Sequence, residues 1–376
     1  MIVKKPPMGW NTWNTFGANI NEELIRSTAD ALVSTGLKDA GYEYLIIDDC
    51  WSKKERDDNG RLQADPEKFP SGIKVLADYV HSKGLKFGIY SCCGPLTCAG
   101  YPGSFNHEFV DAKTFASWGI DYLKYDHCYK PETSQSDMLY RKMGLALANC
   151  GRDILYSACS WGINGTPDWI KTTGAHMWRS TGDIFDVWNR VEIIYNENIP
   201  LQPINGKGCF NDMDMLIVGM HGNGNAGMGG CSTEEYKTHM SIWAMFSSPL
   251  IIGCDIRSMD GITANMLKNS EVIAINQDAA CQQPFEVKFM NGVWGTFWVK
   301  FLENGDVAVL ALNMTDKEKS PYLPLTDAGY AQGTTVTVRD VWTGEEITAV
   351  DAFQVNNLPS HSSKLFRCSI RKEAEK

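Results

Sequence analysis

The sequence lacks the long apolar runs that would place the chain in a membrane. No stretch approaches the 18 or so uninterrupted apolar residues that a spanning helix needs. The most apolar window, residues 242–254, is short and is interrupted by Pro249. Residues 1–7 carry two lysines followed by two prolines, without the apolar run of a signal peptide. We therefore expect a cytoplasmic protein, with secretion of a trimmed form as the alternative.

Positive charge is also scarce. The chain has 35 lysines and arginines against 45 aspartates and glutamates, which gives a formal net charge of -10 at pH 7. Because nucleic acids and anionic membranes would be repelled by this field, we expect neither as a partner. A neutral small-molecule or oligosaccharide substrate fits the charge better. The sequence leaves open whether the chain forms a homo-oligomer.

Motifs of several enzyme classes are missing. The twelve cysteines are irregularly spaced and form no C-x-x-C pair, which disfavours a structural zinc site. The glycine-rich run 222–230 lacks the Lys-Ser/Thr of a P-loop and does not open a dinucleotide fingerprint. A nucleophile elbow is missing too. We therefore predict no metal and no cofactor, and interpret 222–230 as a flexible loop.

Residues 8–275 alternate short apolar, β-rich runs with stretches of helical spacing. This alternation is typical of an α/β protein with βα units around a parallel sheet, and eight units of each kind predict a (β/α)8 TIM barrel. The predicted strands cover residues 8–13, 42–47, 86–91, 121–125, 153–159, 176–180, 210–217 and 250–254. The predicted helices cover residues 22–35, 73–83, 108–118, 136–149, 166–173, 185–198, 233–247 and 261–276.

The pattern changes after residue 277. Helical spacing ends, and runs rich in valine, threonine and aromatic residues follow, separated by turns such as Asn304-Gly305. These runs predict a small antiparallel β-sandwich domain. Its predicted strands cover residues 293–301, 307–313, 334–340 and 364–368. We place the barrel domain at 1–280 and the β domain at 281–376, with 371–376 as a frayed end.

Acidic side chains predominate at the predicted carboxyl ends of the barrel strands, where such barrels build their active sites. Asp48 and Asp49 end the second strand, Asp126 ends the fourth and Asp183 follows the sixth. Two carboxylates about 5–5.5 Å apart are what retaining glycoside hydrolysis requires, because one attacks the anomeric carbon and the other protonates the leaving oxygen. The pattern therefore favours a glycosidase.

Strand alternation places Lys124 and Asp126 on the same side of the fourth strand, facing the barrel axis. A lysine there would keep the carboxylate ionised, as a nucleophile must be. A buried Lys-Asp pair that only orders the barrel is the alternative. Asp48 and Asp49 suit sugar hydroxyls, with a turn cap or a divalent metal site as alternatives. Several tryptophans near strand ends could stack on a pyranose, namely Trp10, Trp13, Trp51, Trp161 and Trp178.

Five segments carry a family resemblance: 8–13 (MGWNTW), 47–51 (IDDCW), 88–90 (GIY), 122–128 (YLKYDHC) and 211–216 (NDMDML). They resemble the α-galactosidases and α-N-acetylgalactosaminidases of glycoside hydrolase family 27, in clan D. The resemblance spans residue 6 to about residue 280. It implies a retaining, metal-independent enzyme with a catalytic barrel and a C-terminal antiparallel β domain.

The resemblance also implies residue roles. Asp126 would be the nucleophile and Asp183 the acid/base. The implied substrate-binding residues are Trp13, Asp48, Asp49, Tyr90, Cys98, Lys124, Cys128, Ser160 and Arg179. Cys98 and Cys128 would form a disulfide at the pocket rim. Cys50 lacks its usual partner, since residues 14–21 contain no cysteine, and this favours a reducing compartment.

Ser160 bears on the identity of the sugar. The α-galactosidases usually carry a larger residue such as glutamate against the 2-hydroxyl, and a serine leaves room for a 2-acetamido group. Ile163, however, stands where the N-acetylgalactosamine-cleaving members carry a small residue. We expect hydrolysis of terminal α-D-galactosides by double displacement through a covalent glycosyl-aspartate. The alternatives are an α-N-acetylgalactosaminidase with the same residues and a non-catalytic carbohydrate-binding protein.

Overall fold

The computed structural model describes residues 3–287 and 296–370. The chain divides into two compact units. The first runs to Gly230 and resumes over Pro249–Lys268, and the second comprises Cys231–Ser248 and the described residues from Asn269 onward. The first three residues of the predicted strand 293–301 and the predicted frayed end 371–376 lie outside the described residues.

The first unit contains a sheet of eight parallel strands. The strands are β1 (Met8–Asn11), β2 (Tyr44–Ile46), β3 (Lys86–Cys92), β4 (Tyr122–Asp126), β5 (Leu155–Cys159), β6 (Met177–Arg179), β7 (Phe210–Asp212) and β8 (Leu250–Ile252). Their order in space is β7-β6-β5-β4-β3-β2-β1-β8. A parallel bridge between Leu216, just after β7, and Ile252 joins the two ends of the sheet. The predicted barrel is confirmed, with strands shorter than expected.

The described residues contain ten α-helices, of which nine overlap the eight predicted helical segments and one, at Trp13–Phe16, was not predicted. They are α1 (Trp13–Phe16), α2 (Glu22–Ser34), α3 (Gly72–Ser82), α4 (Glu108–Trp118), α5 (Ser136–Ala148), α6 (Thr166–Trp169), α7 (Trp188–Asn198), α8 (Thr233–Met245), α9 (Gly261–Leu267) and α10 (Ser270–Asn276). The predicted helix 166–173 is α6 followed by a 3-10 turn, Ile170–Thr172. The predicted helix 261–276 is two helices, because the Asn269 side chain accepts two backbone N–H groups and caps α10.

The register of the sheet brings the strand ends of interest side by side. Lys124 in β4 lies between Tyr90 in β3 and Ser157 in β5. Asp126, two residues further, pairs with Cys159, the last residue of β5. Because all eight strands are parallel, their carboxyl ends open on the same side of the barrel, and the loops that follow them can share one cavity.

The second unit contains an antiparallel sheet with the order β12-β15-β14-β13-β16-β11-β10-β9. Its strands are β9 (Phe285–Val287), β10 (Thr296–Phe301), β11 (Val307–Asn313), β12 (Tyr322–Pro324), β13 (Thr335–Asp340), β14 (Glu346–Val350), β15 (Ala352–Gln354) and β16 (Ser362–Ile370). Phe297, Val309, Val338 and Phe366 are part of its buried core. The expected antiparallel β domain is confirmed. Four of its strands, β9, β12, β14 and β15, were not predicted.

The most apolar window of the sequence, residues 242–254, contains the end of helix α8 and the whole of strand β8. Every residue from Thr238 to Met245 is buried, and the helix packs on β11 and β16 within the second unit. The second half of α8 is therefore buried on all sides in the interior of this unit. Across the described ranges, none of the helices combines the length and the hydropathy required to cross a membrane.

Candidate active site

A cavity of about 300 Å³ opens at the carboxyl ends of the barrel strands. It is lined by Trp13, Asn14, Asp48, Asp49, Tyr90, Cys98, Lys124, Asp126, Trp161, Arg179, Asp183, Ile184, Phe185, Asp214, Met215, Asn225 and Ala226. Both predicted catalytic aspartates are therefore in one cavity with seven of the nine predicted binding residues. The structure places Cys128 and Ser160 outside its lining.

Asp126 ends β4 and is buried. One carboxylate oxygen, Oδ2, accepts a hydrogen bond from the Tyr90 hydroxyl at 3.1 Å. The other, Oδ1, accepts from the His127 backbone N–H at 2.8 Å. These donors fix the orientation of the carboxylate. Burial raises the pKa of Asp126 to about 6, although the Lys124 charge and the His127 amide act in the opposite direction.

Lys124 faces the same cavity as Asp126, as strand alternation predicted. Its ammonium, however, forms its ion pair with Asp48, at 2.8 Å from Oδ2. The Lys124 charge still lowers the pKa of Asp126, but burial outweighs it. The simple Lys124–Asp126 pair expected from the sequence is thus a cluster of one lysine between two carboxylates, and Asp48 is the direct partner.

Asp48 and Asp49 follow β2, so the alternation of side chains along a strand does not determine where either one points. Asp48 Oδ2 also accepts a hydrogen bond from the Asn11 amide at 2.8 Å. Asp49 Oδ2 accepts from the Ala99 backbone N–H at 2.9 Å and its Oδ1 from Cys50 N–H at 2.7 Å. Both aspartates are 2% exposed and line the cavity. They are therefore hydrogen-bond acceptors that the protein holds in place at the cavity wall.

Asp183 lies in the loop after β6, and its side chain is 59% exposed. Its Oδ1 accepts a hydrogen bond from Arg179 Nη2 at 3.0 Å, and its backbone carbonyl accepts from Arg190 Nε. Although partial burial acts the other way, the Arg179 guanidinium holds the pKa of Asp183 below its ordinary value. Without a substrate, Asp183 is therefore ionised at neutral pH.

Asp214 is a cavity residue to which the sequence analysis gave no role. It forms an ion pair with Arg179 at 2.9 Å, and its Oδ2 accepts a hydrogen bond from the Ile184 backbone N–H at 2.7 Å. Its own N–H donates to Asp212 at 2.9 Å, in a backbone with φ of 75°. Asp214 follows β7 within the 211–216 motif, so the rule that selected the other strand-end carboxylates could have found it.

Comparison with known proteins decides the family. The family model "Alpha galactosidase A" matches residues 5–278, and the model "Alpha galactosidase C-terminal beta sandwich domain" matches residues 296–368. The chain belongs to the α-galactosidase family. It is 46% identical to an α-galactosidase of Cyamopsis tetragonoloba over 97% of this chain and 86% of that protein. It is 45% identical to α-galactosidase 2 of Arabidopsis thaliana over 99% of this chain and 91% of that protein.

Solved structures of the family agree in fold as well. The crystal structure of α-galactosidase I from Mortierella vinacea matches with a TM-score of 0.91 and 37% identity, over 97% of each chain. An α-galactosidase from Saccharomyces cerevisiae, solved with raffinose, matches with a TM-score of 0.87 and 30% identity over 98% of each chain. With relatives this similar over nearly the whole chain, the protein is a glycoside hydrolase, as the sequence predicted.

The rim of the cavity in this α-galactosidase family member contains a disulfide. Cys98 and Cys128 are bonded, with their Cα atoms 5.1 Å apart, as the resemblance implied. Cys98 lines the cavity, with its Sγ 3.4 Å from the Tyr90 hydroxyl oxygen, whereas Cys128 is not part of the lining. Cys50 is a buried thiol, and burial raises its pKa to about 11.

The loop after β5 places Trp161, and not Ser160, against the cavity. Ser160 is fully buried, and among the described residues its hydroxyl has no hydrogen-bond partner. Trp161 has φ of 56°, which turns the chain so that its indole lines the cavity. Gly162 lies so close to the next loop that a Cβ there would be 2.2 Å from the Ser180 carbonyl oxygen. The two loops that carry Trp161 and Asp183 are therefore packed together.

Proposed function

We propose that this glycoside hydrolase removes terminal α-D-galactosyl groups with net retention, through a covalent glycosyl ester on Asp126. The observation that carries the proposal is the meeting of Asp126 and Asp183 in one cavity of about 300 Å³. A cavity of this size suits a single terminal sugar ring. The similarity to proteins named α-galactosidases supports galactose as that sugar.

In the first step the Asp126 carboxylate attacks the anomeric carbon while the glycosidic C–O bond breaks. Asp183 donates a proton to the departing oxygen, which leaves as an alcohol. In the second step Asp183 takes a proton from water, and the water oxygen attacks the anomeric carbon. The ester bond to Asp126 breaks in this attack, which releases the sugar, restores the Asp126 carboxylate and leaves Asp183 protonated, as it was before the first step.

The buried environment of Asp126 suits both steps. Because burial raises its pKa to about 6, the carboxylate is more basic than an exposed aspartate but is still ionised at neutral pH. The Tyr90 hydroxyl and the His127 amide aim its oxygens at the cavity. Asp48, Asp49 and Lys124 bind the sugar hydroxyls, and Trp13 offers an aromatic face to the ring.

The loop after β5 supports a galactoside over an N-acetylgalactosaminide. The extra room expected from the small Ser160 side chain lies outside the cavity lining, and the bulky Trp161 indole takes its place at the wall. Trp161 and Asp183 also border an open groove of about 650 Å³ together with Ile163. This groove can receive the leaving group of an oligosaccharide.

A cytoplasmic location stays a prediction.

The test follows p-nitrophenyl α-D-galactoside hydrolysis by proton NMR. We expect α-galactose to form before mutarotation, and Asp126→Ala to lose about 10³-fold or more of the activity. Addition of azide to Asp126→Ala should yield β-galactosyl azide. If β-galactose forms first, the enzyme does not act with retention. If Asp126→Ala keeps its activity, Asp126 is not the nucleophile. If the enzyme strongly prefers the N-acetylgalactosaminide, galactose is not its sugar.

A further inference from the structure

One nitrogen of Arg179 faces more acceptors than it has hydrogens. Nη2 carries two hydrogens. It lies 3.0 Å from Asp183 Oδ1, 2.9 Å from Asp214 Oδ2 and 3.3 Å from the Thr181 carbonyl oxygen. Arg179 is 3% exposed, so water does little to relieve this competition. Asp183 and Asp214 therefore share one buried guanidinium charge.

Asp214 contacts the loop of Asp183 a second time, through the backbone. Its Oδ2 accepts the N–H of Ile184, the residue directly after Asp183, at 2.7 Å. Asp214 is itself fixed, because its N–H donates to Asp212 Oδ1 at 2.9 Å and its carboxylate is 4% exposed. Its position at the cavity wall is therefore rigid, and so is its distance from the Arg179 charge.

We propose that Asp214 is a positioning residue that allows Asp183 to act as a general acid, by taking up part of the Arg179 charge and by fixing the backbone after Asp183. This inference rests on the proposed function, in which Asp183 must carry a proton when the glycosidic bond breaks. Asp214 does not itself exchange a proton with the substrate. It acts through Arg179 and Ile184.

The charges around Asp183 make the argument specific. The charged groups that face it are Arg179 from β6, Lys124 and Asp126 from β4, Arg190 from α7, and Asp214 from the loop after β7. The three cations favour the ionised carboxylate, and the two anions favour its protonated form. Loss of the Asp214 charge would remove the anion that competes most directly with Asp183 for the Arg179 charge. The pKa of Asp183 would then fall, and less of it would be protonated at a given pH.

Asp214→Asn tests this inference with α-galactosides whose leaving groups differ in basicity. A dinitrophenyl group leaves without protonation, whereas a methanol or sugar leaving group requires the acid. We expect kcat/KM of Asp214→Asn to fall about tenfold more on methyl α-galactoside or raffinose than on the dinitrophenyl substrate. The basic limb of the kcat/KM profile on raffinose should move about one pH unit lower.

Two further variants separate charge from structure. Asp214→Asn keeps a side-chain oxygen for the Ile184 N–H without the charge, whereas Asp214→Ala removes both and should lose at least as much activity on raffinose. Asp214→Glu restores the charge and should recover part of the loss on raffinose. Activity on the dinitrophenyl substrate reports that each variant is folded. Equal losses on all leaving groups, with an unmoved basic limb, would show a merely structural role and overturn the inference.

Failure of the inference can be told from failure of the proposed function. Asp183→Ala should regain activity on the dinitrophenyl substrate when azide is added, with α-galactosyl azide as the product. If that rescue occurs and Asp214→Asn shows no leaving-group dependence, only the role of Asp214 is wrong. If the wild-type enzyme hydrolyses no α-galactoside, the proposed function itself is wrong.

Discussion

At the scale of single residues, the site places opposite demands on its two carboxylates. Asp126 is buried among few compensating donors, whereas Asp183 is more exposed and paired with Arg179. Burial raises the pKa of the first, and the guanidinium lowers the pKa of the second. The free enzyme therefore holds both as carboxylates at neutral pH, and the proton for the leaving group has to arrive on Asp183 against the Arg179 charge.

The acidic limb of the activity profile should report Asp126. Since the nucleophile must be ionised, and burial raises its pKa to about 6, kcat/KM should fall as the pH drops below about 6, by about tenfold per unit. The dinitrophenyl substrate isolates this limb, because it does not depend on Asp183 as an acid. Tyr90→Phe removes one donor to the carboxylate and should move the limb to higher pH. If Tyr90→Phe leaves the acidic limb at the same pH, the limb reports the titration of a group other than Asp126.

Ser160 and Trp161 show which details of the site the sequence could not predict. Strand ends and acidic side chains could be located from the sequence, since hydrophobic runs mark the strands. Which of two adjacent residues after β5 faces the sugar depends on the left-handed backbone at Trp161, and no periodicity encodes that. The role of Asp214 was hidden for a related reason, because its partners Arg179 and Ile184 belong to a different strand and loop.

At the scale of elements, prediction succeeded in the barrel, where even the three-residue strands β2, β6, β7 and β8 are fully buried and alternate with helices, and it failed for four strands of the β domain. All eight barrel strands and the long helices were found, with ends misplaced by a few residues where polar loops begin. The strands β9, β12, β14 and β15 contain three to five residues each and several exposed positions, so they offered too little alternation. The break before α10 needed the cap at Asn269, which the apolar pattern alone does not show.

Helix α8 begins with a capping box whose contribution to the free energy of unfolding can be measured. The Ser232 side chain accepts the Glu235 N–H, and the Glu235 carboxylate accepts the Ser232 N–H at 2.7 Å. Ser232→Ala leaves a helix N–H without its acceptor, so the free energy of unfolding should fall by about 1 kcal/mol. Denaturant unfolding measures the change. Glu234→Ala in the same turn removes only an exposed pair with Lys237 and should cost less than about 0.5 kcal/mol; equal costs would contradict the cap.

At the scale of the whole molecule, two family models account for nearly all the described chain, one for each kind of sheet. The alternation of strands and helices followed by strands alone was enough to predict both architectures. The grouping of α8 and α10 with the antiparallel sheet is a matter of packing. The order of elements could not predict this grouping, because both helices lie within the part of the sequence that shows the strand–helix alternation of a barrel.

The antiparallel unit also contains a buried cation whose titration should be visible in the stability of the molecule. Lys300 in β10 is 0% exposed, and its ammonium donates to Ser247 Oγ and to the Ile275 carbonyl oxygen, each at 2.8 Å. Burial lowers its pKa to about 8, although the Asp278 charge acts in the opposite direction. The folded protein therefore releases this proton at lower pH than the unfolded chain does.

The sign of the pH dependence follows from that difference. Below about pH 8 Lys300 is protonated in both the folded and the unfolded protein, so the buried charge lowers the free energy of unfolding by its full amount. Between about pH 8 and 10.5 the unfolded chain binds more protons, so stability rises with pH, by up to about 3 kcal/mol. Lys300→Met lacks this contribution. Unfolding of both proteins in urea at pH 7 and pH 9.5 should show the wild type gaining on the variant, and a constant difference between them would refute the buried-charge argument.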